Sequence, residues 1–495
     1  MTSPAAGAAV QRFRAAVAQR MGLFFDDSKL GLLSDVLHRR LESGAWTPEE
    51  YLALLEEGSA ELRTLATELT VGETYFFRHL DQFKAFREVA LPERLRARAA
   101  SRRLNVLSAG CASGEEAYSL AMVLRDQGEG ASWTVSVRGF DLNSALLDRA
   151  AQGRYSQWSL RETPADVQER WFHREGREFC IDPEIRSMVA FEERNLAGDE
   201  AAWIPEAYDV VFLRNVLMYF TPEAAAALVG KVTCSLAPGG FLFLGHAETL
   251  RGLSQDYHLA HTHDTFYYRR KEAVSPRPAT RDTFRAPAVD LAAGPDVSWV
   301  EAIRRTTERI RSLTDPPSQA AESASPPRRR DLGPALDLLR RERFGEALSF
   351  VRGLPEEEAQ DADALLLQAA LLTQSGALAE AERLCAELLR IDELSAPAHY
   401  LMALCCEARR DEAGAREHDL SAAYLDPGFA MPRLHLGLMA ARSGDREAAR
   451  RELADALGLL QREDAPRLLL FGGGFPRQAL ADLCAAELLR CGGRP

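Results

Sequence analysis

The first 270 residues show two kinds of hydrophobic pattern. From Val10 to Phe83 apolar residues follow a helical spacing, and Thr47, Pro48 and Glu50 form the signature of a capped helix start. After Phe83, short apolar runs without polar alternation are separated by amphipathic segments. Such runs predict strands that are buried on both faces, and hence a mostly parallel, doubly wound sheet.

The predicted strands and helices alternate along this region. The strands are LNVLSA, VSVRGF, YDVVFLRN, GGFLFLG and TFYYRR, and the helices begin near Glu115, Ser144 and Thr221. Ligands of doubly wound sheets bind at the carboxyl ends of the strands. The loops after LNVLSA, VSVRGF and YDVVFLRN are therefore the candidate positions for a site.

A different period governs the C-terminal part, where similar residues recur every 34 positions. The repeated positions are Ala347, Ala381, Ala415 and Ala449, with Gly376, Arg410 and Gly444 five residues before the last three. A small alanine lets two helices approach closely, and a left-handed residue at the turn ends the first helix. The period predicts four helix-turn-helix units stacked as a solenoid.

These repeats, over about Pro334 to Asp464, resemble tetratricopeptide repeats, and Phe475 to Cys491 is predicted to be a capping helix. The repeat-ending proline of that family occurs only at Pro427, and its early Trp and Tyr are missing. A plain array of helical hairpins is the alternative. Both predict binding of an unknown protein or peptide, because no cluster of titratable residues in the repeats suggests chemistry.

The segment between these regions is rich in proline. Between Lys271 and Arg330 lie eight of the 24 prolines, which predicts a linker with at most one docking helix, around Val300, Ile303 and Ile310. The predicted organisation is thus a helical domain (1–85), an α/β domain (86–270), a linker (271–333) and an all-α repeat domain (334–495).

Composition narrows the class of protein. A net charge of −13 disfavours a nucleic-acid binder, and no apolar run reaches the roughly 18 residues of a membrane span. The N-terminus has no secretory signal, so a cytoplasmic location is expected. The eight cysteines form no C-x-x-C pair, and His258, His261 and His263 lack a nearby constellation of acidic residues, so no metal site is expected.

The stretch LSAGCASGEEAYSLA carries the clearest chemical signal. Gly110 and Gly114 lie where the first strand meets a helix, and Asp141 ends the second strand, in position to bind ribose hydroxyls. No Lys-Ser/Thr follows, which excludes a triphosphate loop, and Glu115 and Glu116 would repel a diphosphate. These features favour S-adenosylmethionine, while a dinucleotide enzyme and a purely structural turn remain as alternatives.

Six ordered motifs extend this signal over about residues 10 to 270. They are TVGETYFFRHLDQF, SAGCASGEEAYSLAM, GFDLNSALLDRA, NL at 195–196, FLRNVLMYF and APGGFLFLGHAETL. In this order they resemble the CheR-type chemoreceptor glutamate methyltransferases. The resemblance implies a helical N-terminal domain and a class I (Rossmann-like) methyltransferase sheet with a small β-subdomain that contacts the receptor. It also implies methyl transfer from S-adenosylmethionine to glutamate side chains in the cytoplasmic helical domain of a receptor.

The resemblance also implies site residues. Those for cofactor binding are Thr74, Arg78, Gly110, Gly114, Glu116 or its neighbour Glu115, Asp141, Asn195, Leu196, Arg214 and Asn215. Arg78 and Tyr219 are the candidates to orient methyl donor and acceptor, the alternatives being a surface cation and a core aromatic. This chain departs from the family at Gly72, usually Asn, and at Ala117, usually Pro, which puts the strength of cofactor binding in question.

Several surrounding features carry weaker predictions. The five arginines of Arg94 to Arg103 are expected on a helix, either attracting an acidic receptor or simply solvated. The short segment Phe172 to Ile185 predicts that no receptor pentapeptide tether is needed. His246 and Glu248 receive no role. The alternative to an enzyme is a scaffold that has a degenerate methyltransferase domain and repeats for protein binding.

Overall fold

The computed structural model describes residues 4–56, 60–127, 133–198, 203–272, 332–341, 343–355, 361–473 and 475–493. The chain divides into two compact units, Met1–Ser275 and Pro276–Pro495. The helix predicted around Val300 and nearly all of the predicted linker lie outside the described residues, so the four-segment division stays a prediction. Within the described ranges, no helix combines the length and apolar character needed to cross a bilayer.

The first unit begins with a helical layer. Its helices are α1 (Pro4–Met21), α2 (Leu30–Gly44), α3 (Pro48–Glu56) and α4 (Ala60–Leu69). The predicted capping box is confirmed, since the Thr47 N–H donates to Glu50 Oε2 at 2.8 Å and the Glu50 N–H to Thr47 Oγ1 at 3.3 Å. Phe13, Val36 and Leu65 are fully buried in a small core of this layer.

The rest of the first unit is an α/β fold. Its strands are β1 (Arg103–Ala109), β2 (Thr134–Asp141), β3 (Arg154–Tyr155), β4 (Phe172–Glu175), β5 (Glu178–Ile181), β6 (Val189–Glu193), β7 (Tyr208–Leu213), β8 (Leu236–Leu244), β9 (Tyr257–Thr262) and β10 (Thr265–Arg270). Its helices are α5 (Leu80–Ala85), which continues through a π-helical turn into α6 (Leu91–Ala97), then α7 (Glu115–Asp126), α8 (Ser144–Gln152), α9 (Ala165–Trp171), α10 (Pro183–Ser187) and α11 (Pro222–Ser235).

Seven strands form the main sheet, in the order β6-β2-β1-β7-β8-β10-β9. Strands β6, β2, β1, β7 and β8 run parallel, whereas β10 pairs antiparallel with both β8 and β9. The predicted doubly wound sheet is confirmed, and every residue of β7 is buried. Strands β6 and β9 were not predicted, because their side chains are mostly half-buried and their mixed composition gives no uninterrupted apolar run.

The other three strands form a small antiparallel sheet in the order β3-β5-β4. The hairpin of β4 and β5 has a two-residue turn, 176–177, and Glu175 pairs with Glu178 across it. The Arg154 guanidinium contacts both of these carboxylates at 2.9 Å. This subdomain is therefore short, as its sequence indicated.

The second unit is all-α. Its helices are α12 (Gly333–Arg340), α13 (Phe344–Arg352), α14 (Ala362–Gln374), α15 (Leu378–Ile391), α16 (Ala396–Ala408), α17 (Glu412–Leu425), α18 (Ala430–Ser443), α19 (Arg446–Leu460), α20 (Ala465–Phe471) and α21 (Arg477–Arg490). Helices α12 to α19 form four antiparallel pairs, and the repeated alanines, Ala347, Ala381, Ala415 and Ala449, are fully buried. The predicted tetratricopeptide-like solenoid is confirmed, and α21 packs on α19 as a cap.

The turns within these pairs have the predicted left-handed residue. Gly376, Arg410 and Gly444 have φ values of 79°, 63° and 84°. At each turn a backbone N–H reaches back five residues, as in the bond from Asp411 to the carbonyl of Cys406 at 3.0 Å. Arg410 adopts this conformation although it carries a Cβ.

Candidate functional site

The glycine turn between β1 and α7 lies at the carboxyl edge of the sheet. Gly110 and Gly114 have φ values of 79° and 90°. A Cβ on Gly110 would lie 2.4 Å from Val216 Cγ2, and one on Gly114 would lie 2.8 Å from Phe191 Cζ. The glycines thus allow the backbone conformation and the packing of this turn, and their approach to a ligand stays a prediction.

Asp141 ends β2 beside this turn. Its Oδ2 accepts a hydrogen bond from the Ala112 N–H and its Oδ1 one from the Asn143 N–H, both at 2.8 Å. Burial raises the pKa of the carboxyl, and these backbone donors oppose the rise. Each carboxylate oxygen has a second lone pair, so the side chain is able to accept a ligand's hydroxyl groups as well.

The two glutamates that open α7 point to different places. Glu115 is 2% exposed, and its Oε2 accepts a hydrogen bond from the Ser113 hydroxyl at 2.7 Å. Glu116 accepts from the Ser108 hydroxyl at 2.7 Å, and its other oxygen lies 3.3 Å from Arg214 Nη1. Burial raises the pKa of both carboxyls. Of the two alternatives left by the sequence, Glu116 is the one paired with another predicted site residue.

Arg214 follows β7 and is almost fully buried. Besides facing Glu116, it donates from Nη2 to the carbonyl oxygen of Arg78 at 2.5 Å. Burial lowers its pKa, and the Glu116 carboxylate opposes this effect. The Arg214 guanidinium thus connects the TYFFR segment, the start of α7 and the end of β7, so three of the six motifs meet at this side chain.

Three buried polar atoms at this point make no hydrogen bond within the described part of the chain: Arg78 Nε, Arg214 Nε and Asn215 Oδ1. Leaving such an atom unpaired costs roughly 1–3 kcal/mol, so each is a place where a ligand would add stability. Arg78 otherwise donates only weakly, from Nη1 to the Glu73 carbonyl at 3.5 Å. Thr74 lies half-buried in the same segment.

Glu248 holds the loop that follows β7. Its carboxylate accepts backbone N–H groups from Asn215 at 2.7 Å, Val216 at 2.8 Å, Met218 at 3.3 Å and Gly245 at 2.7 Å. From the sequence this residue had no chemical role and was expected in a structural or substrate-adjacent position, and these four bonds are structural. That it holds the loop after β7 could not be foreseen from its place three residues after a predicted strand end.

His79 was also missed. It adopts a left-handed conformation, with φ 59°, and its ring stacks on His246 with centroids 5.5 Å apart. Burial and the nearby Arg214 cation lower its pKa to about 4. At neutral pH the ring is therefore uncharged beside the two arginines.

Asn195, Leu196 and Tyr219 lie where the helical layer meets the sheet. Asn195 Nδ2 donates to the Arg20 carbonyl at 2.7 Å, and its Oδ1 accepts from the Ala197 N–H at 3.0 Å. Leu196 is buried. Tyr219 is 38% exposed, and its carbonyl accepts from the Phe24 N–H at 2.8 Å. This exposure does not match a core aromatic.

The arginine-rich segment differs from its prediction. Helix α6 ends at Ala97, so Arg102 and Arg103 lie beyond it. Arg94 and Arg98 both contact Asp209 Oδ1, at 2.8 and 2.7 Å, and the Arg94 side chain is 6% exposed. Two of the five arginines thus stabilise the sheet and are not free for a receptor.

The histidines near the C-terminal strands stand apart from one another. His258 and His261 lie in β9, and His263, in the following turn, contacts Glu88 Oε2 at 2.9 Å. Among the described residues, no group of three His, Cys, Asp or Glu side chains is placed to hold a metal ion.

The site as a whole fits S-adenosylmethionine. Acidic side chains, Asp141 and Glu116, suit ribose hydroxyls and a sulfonium charge, and the unpaired atoms of Arg78, Arg214 and Asn215 suit the polar groups of its amino-acid part. A parallel sheet with an antiparallel last pair and this site at its carboxyl edge define a class I S-adenosylmethionine-dependent methyltransferase.

Comparison with known proteins gives the family. Residues 72–266 match the family described as CheR methyltransferase, SAM binding domain. The chain is 30% identical, over 89% of its length and 96% of the relative's, to the Probable biofilm formation methyltransferase WspC of Pseudomonas aeruginosa, and 28% identical to that of Pseudomonas putida over the same shares. It is also 31% identical to Chemotaxis protein methyltransferase 2 of Vibrio cholerae, over 53% of this chain and 93% of that one. The chain belongs to the CheR methyltransferase family and is an S-adenosylmethionine-dependent methyltransferase.

Proposed function

We propose that the protein transfers the methyl group of S-adenosylmethionine to glutamate side chains of a chemoreceptor, forming methyl esters, and that its repeats bind a protein partner. The observation that carries the proposal is the meeting of Glu116, Arg214 and Arg78, with unpaired polar atoms, at the carboxyl edge of the sheet. The relatives that match nearly the whole chain are named for biofilm formation, which favours a receptor of a comparable pathway.

The chemistry asks little of the protein. When bound, S-adenosylmethionine supplies a methyl group carried on a positively charged sulfur. A glutamate carboxylate has a reference pKa of about 4.3, so it is ionised at neutral pH and needs no general base. The remaining task is to hold the acceptor oxygen in line, roughly 3–3.5 Å from the methyl carbon, and to exclude water.

Arg78 and Tyr219 are the proposed positioning groups. The Arg78 side chain is half-buried with a free Nε, so it is able to donate to a carboxylate without breaking a strong existing bond. Tyr219 presents its phenol at the rim, beside the exposed Met218. His79 is neutral and Arg214 is paired with Glu116, so Arg78 is the cation proposed to attract an anionic acceptor.

Two positions differ from the family pattern at this site. A Cβ on Gly72 would lie 2.8 Å from Leu146 Cδ1, so Leu146 already occupies the space into which a larger residue would extend. Ala117 is fully buried in α7. Both positions are filled by the protein's own packing, which supports a formed site and argues against the scaffold alternative.

Methyl transfer from labelled S-adenosylmethionine to receptor-containing membranes tests the proposal. We expect label that is released as methanol by alkali, because carboxyl methyl esters hydrolyse in base and methylated amines do not. Arg78→Ala should lower the rate at least about 10-fold, whereas Arg87→Ala, an exposed arginine paired with Glu88, should leave it unchanged. Alkali-stable label, or equal rates for both variants, would contradict the proposal.

The titration of S-adenosylhomocysteine into the purified protein separates the enzyme from the scaffold. Saturable binding supports the enzyme, and absence of binding supports a degenerate domain.

The two-residue turn of the β4-β5 hairpin supports the further proposal that receptors are methylated without a pentapeptide tether. Equal methylation of a receptor with and without such a tail is the expected result.

A further inference from the structure

Helix α20 crosses the first helices of the repeat pairs. It contacts α12 and α14, its last residue reaches Tyr400 of α16, and it meets Phe429 at the start of α18. In a solenoid, one layer of helices forms a continuous surface that is used for binding partners. The chain's own helix α20 therefore covers the layer formed by α12, α14, α16 and α18.

We call this surface the groove and define it by Gln374, Tyr400, Asp426 and Phe429. The Gln374 amide donates to the carbonyl oxygens of residues 469 and 470, at 3.2 and 2.5 Å, and the Tyr400 hydroxyl donates to that of residue 471 at 3.2 Å. The last carbonyls of any helix lack intrahelical partners. Because Gln374 and Tyr400 donate to backbone carbonyls, they are able to bind the C-terminus of a helix of any sequence.

The side chains of α20 define the chemistry of the occupant. Leu468, Leu470 and Phe471 are at most 3% exposed, and the Phe471 ring packs edge-on against Tyr400 and Phe429, with centroids 6.2 and 5.3 Å apart. They fill the apolar part of the groove.

One basic residue completes the contact. Arg467 Nη2 lies 2.6 Å from Asp426 Oδ2, and its guanidinium carbon lies 4.0 Å from the centre of the Phe429 ring. The groove therefore accepts a short helix that combines apolar side chains with an arginine.

The way α20 is connected allows it to leave. It has seven residues, too few for a helix to persist alone in water, and Gly472 and Gly473 separate it from the cap α21. The cap packs on α19 and the pairs pack through their own alanines. Helix α20 is thus held by the groove, where Leu468, Leu470 and Phe471 complete a buried cluster that also contains the alanines of the helix pairs.

We propose that α20 is an exchangeable occupant of the groove, displaced by a protein partner that presents a short apolar helix with an arginine. This inference rests on the proposed binding role of the repeats, but it does not depend on methyl transfer. Exchange of one helix for another keeps the groove covered in both states.

The test uses the full-length chain and a fluorescent peptide of residues 463–473 as the probe. Phe471→Ala removes the largest anchor of the resident helix, and Phe475→Ala, a residue 60% exposed, is the matched control. Because the resident segment competes at a high effective concentration, the Phe471→Ala variant should bind the peptide at least about 10-fold more tightly than wild type or control. A peptide with alanine in place of Arg467 should bind about 10-fold more weakly.

Equal peptide affinities of the three proteins, or no binding to any of them, would overturn the exchange. Hydrogen exchange on the wild-type chain gives a second reading that needs no substitution. Amides of residues 467–472 should exchange at least about 10-fold faster than those of α21. Protection of α20 equal to that of α18 would show that α20 is a permanent part of the core. Loss of methyl transfer would change neither the peptide binding nor the hydrogen exchange.

Discussion

The role of Glu248 leads to the sharpest prediction for the methyltransferase site. Its two carboxylate oxygens share four backbone N–H groups: Oε2 serves Asn215 and Gly245, and Oε1 serves Val216 and Met218. The substitution Glu248→Gln keeps the shape of the side chain but replaces one oxygen by an NH2 group. In either orientation of the new amide, two of the four backbone N–H groups face its NH2 group, which is itself a donor and cannot accept their hydrogen bonds.

The magnitude follows from this geometry. Each buried N–H that loses its acceptor costs roughly 1–3 kcal/mol, so the loop loses roughly 2–6 kcal/mol of stabilisation. Because Glu248 ties the loop after β7 to the end of β8, and both strands remain buried in the sheet, we expect local opening before global unfolding. If ligand binding must close the opened loop at a cost of only about 2 kcal/mol, the affinity for the ligand falls about 30-fold.

Calorimetric titration with S-adenosylhomocysteine measures this loss. The matched control is Glu223→Gln, an exposed acid in the first turn of α11, which should bind as wild type does. Circular dichroism should show all three proteins folded. Affinity of Glu248→Gln within about threefold of wild type would refute the reasoning, because it would mean that the site does not need the loop held in this position.

The repeat unit yields two further predictions. Arg410→Gly should raise the free energy of unfolding by roughly 1 kcal/mol, because a left-handed residue with a Cβ is strained. Gly376→Arg should lower it by a similar amount, and thermal unfolding measures both changes. Burial opposes protonation of His435, but ion pairs with Asp419 at 2.6 Å and Glu407 at 2.9 Å raise its pKa to about 9. Its contribution to stability is therefore complete below the unfolded pKa of about 6.5 and is lost as pH rises through 9, by roughly 3–4 kcal/mol. Denaturant unfolding measures this loss, which should be absent in His435→Gln.

Periodic features could be predicted from the sequence because each is repeated along the chain. The apolar runs predicted four of the five parallel strands, β1, β2, β7 and β8, and the spacing of Ala347 to Ala449 predicted the four helix pairs. Even Arg410 could be placed in a left-handed turn, because its neighbours in the period are glycines. Such a pattern is recognised from the local sequence and the spacing of its residues alone.

Pairings between distant residues could not be predicted in this way. Arg94 meets Asp209 across 115 positions, and Gln374 meets residue 470 across 96. The sequence shows an arginine-rich stretch and a short apolar run before three glycines, but neither has a period that names its partner. The site residues were found through motif resemblance, and Glu248 was missed since its contacts are to backbone N–H groups, which every residue except proline carries.

The distribution of unfavourable features separates a functional site from a local imperfection. Around Arg214 the fold combines a buried ion pair, unpaired polar atoms and the positive φ of Asn215, 57°, within one loop cluster. Each of these destabilises the protein, and such features persist where the surroundings hold them and a function uses them. The strain at Arg410 is exposed and single, and a glycine would relieve it. The first pattern is one that a bound ligand would relieve, whereas the second requires only a different residue.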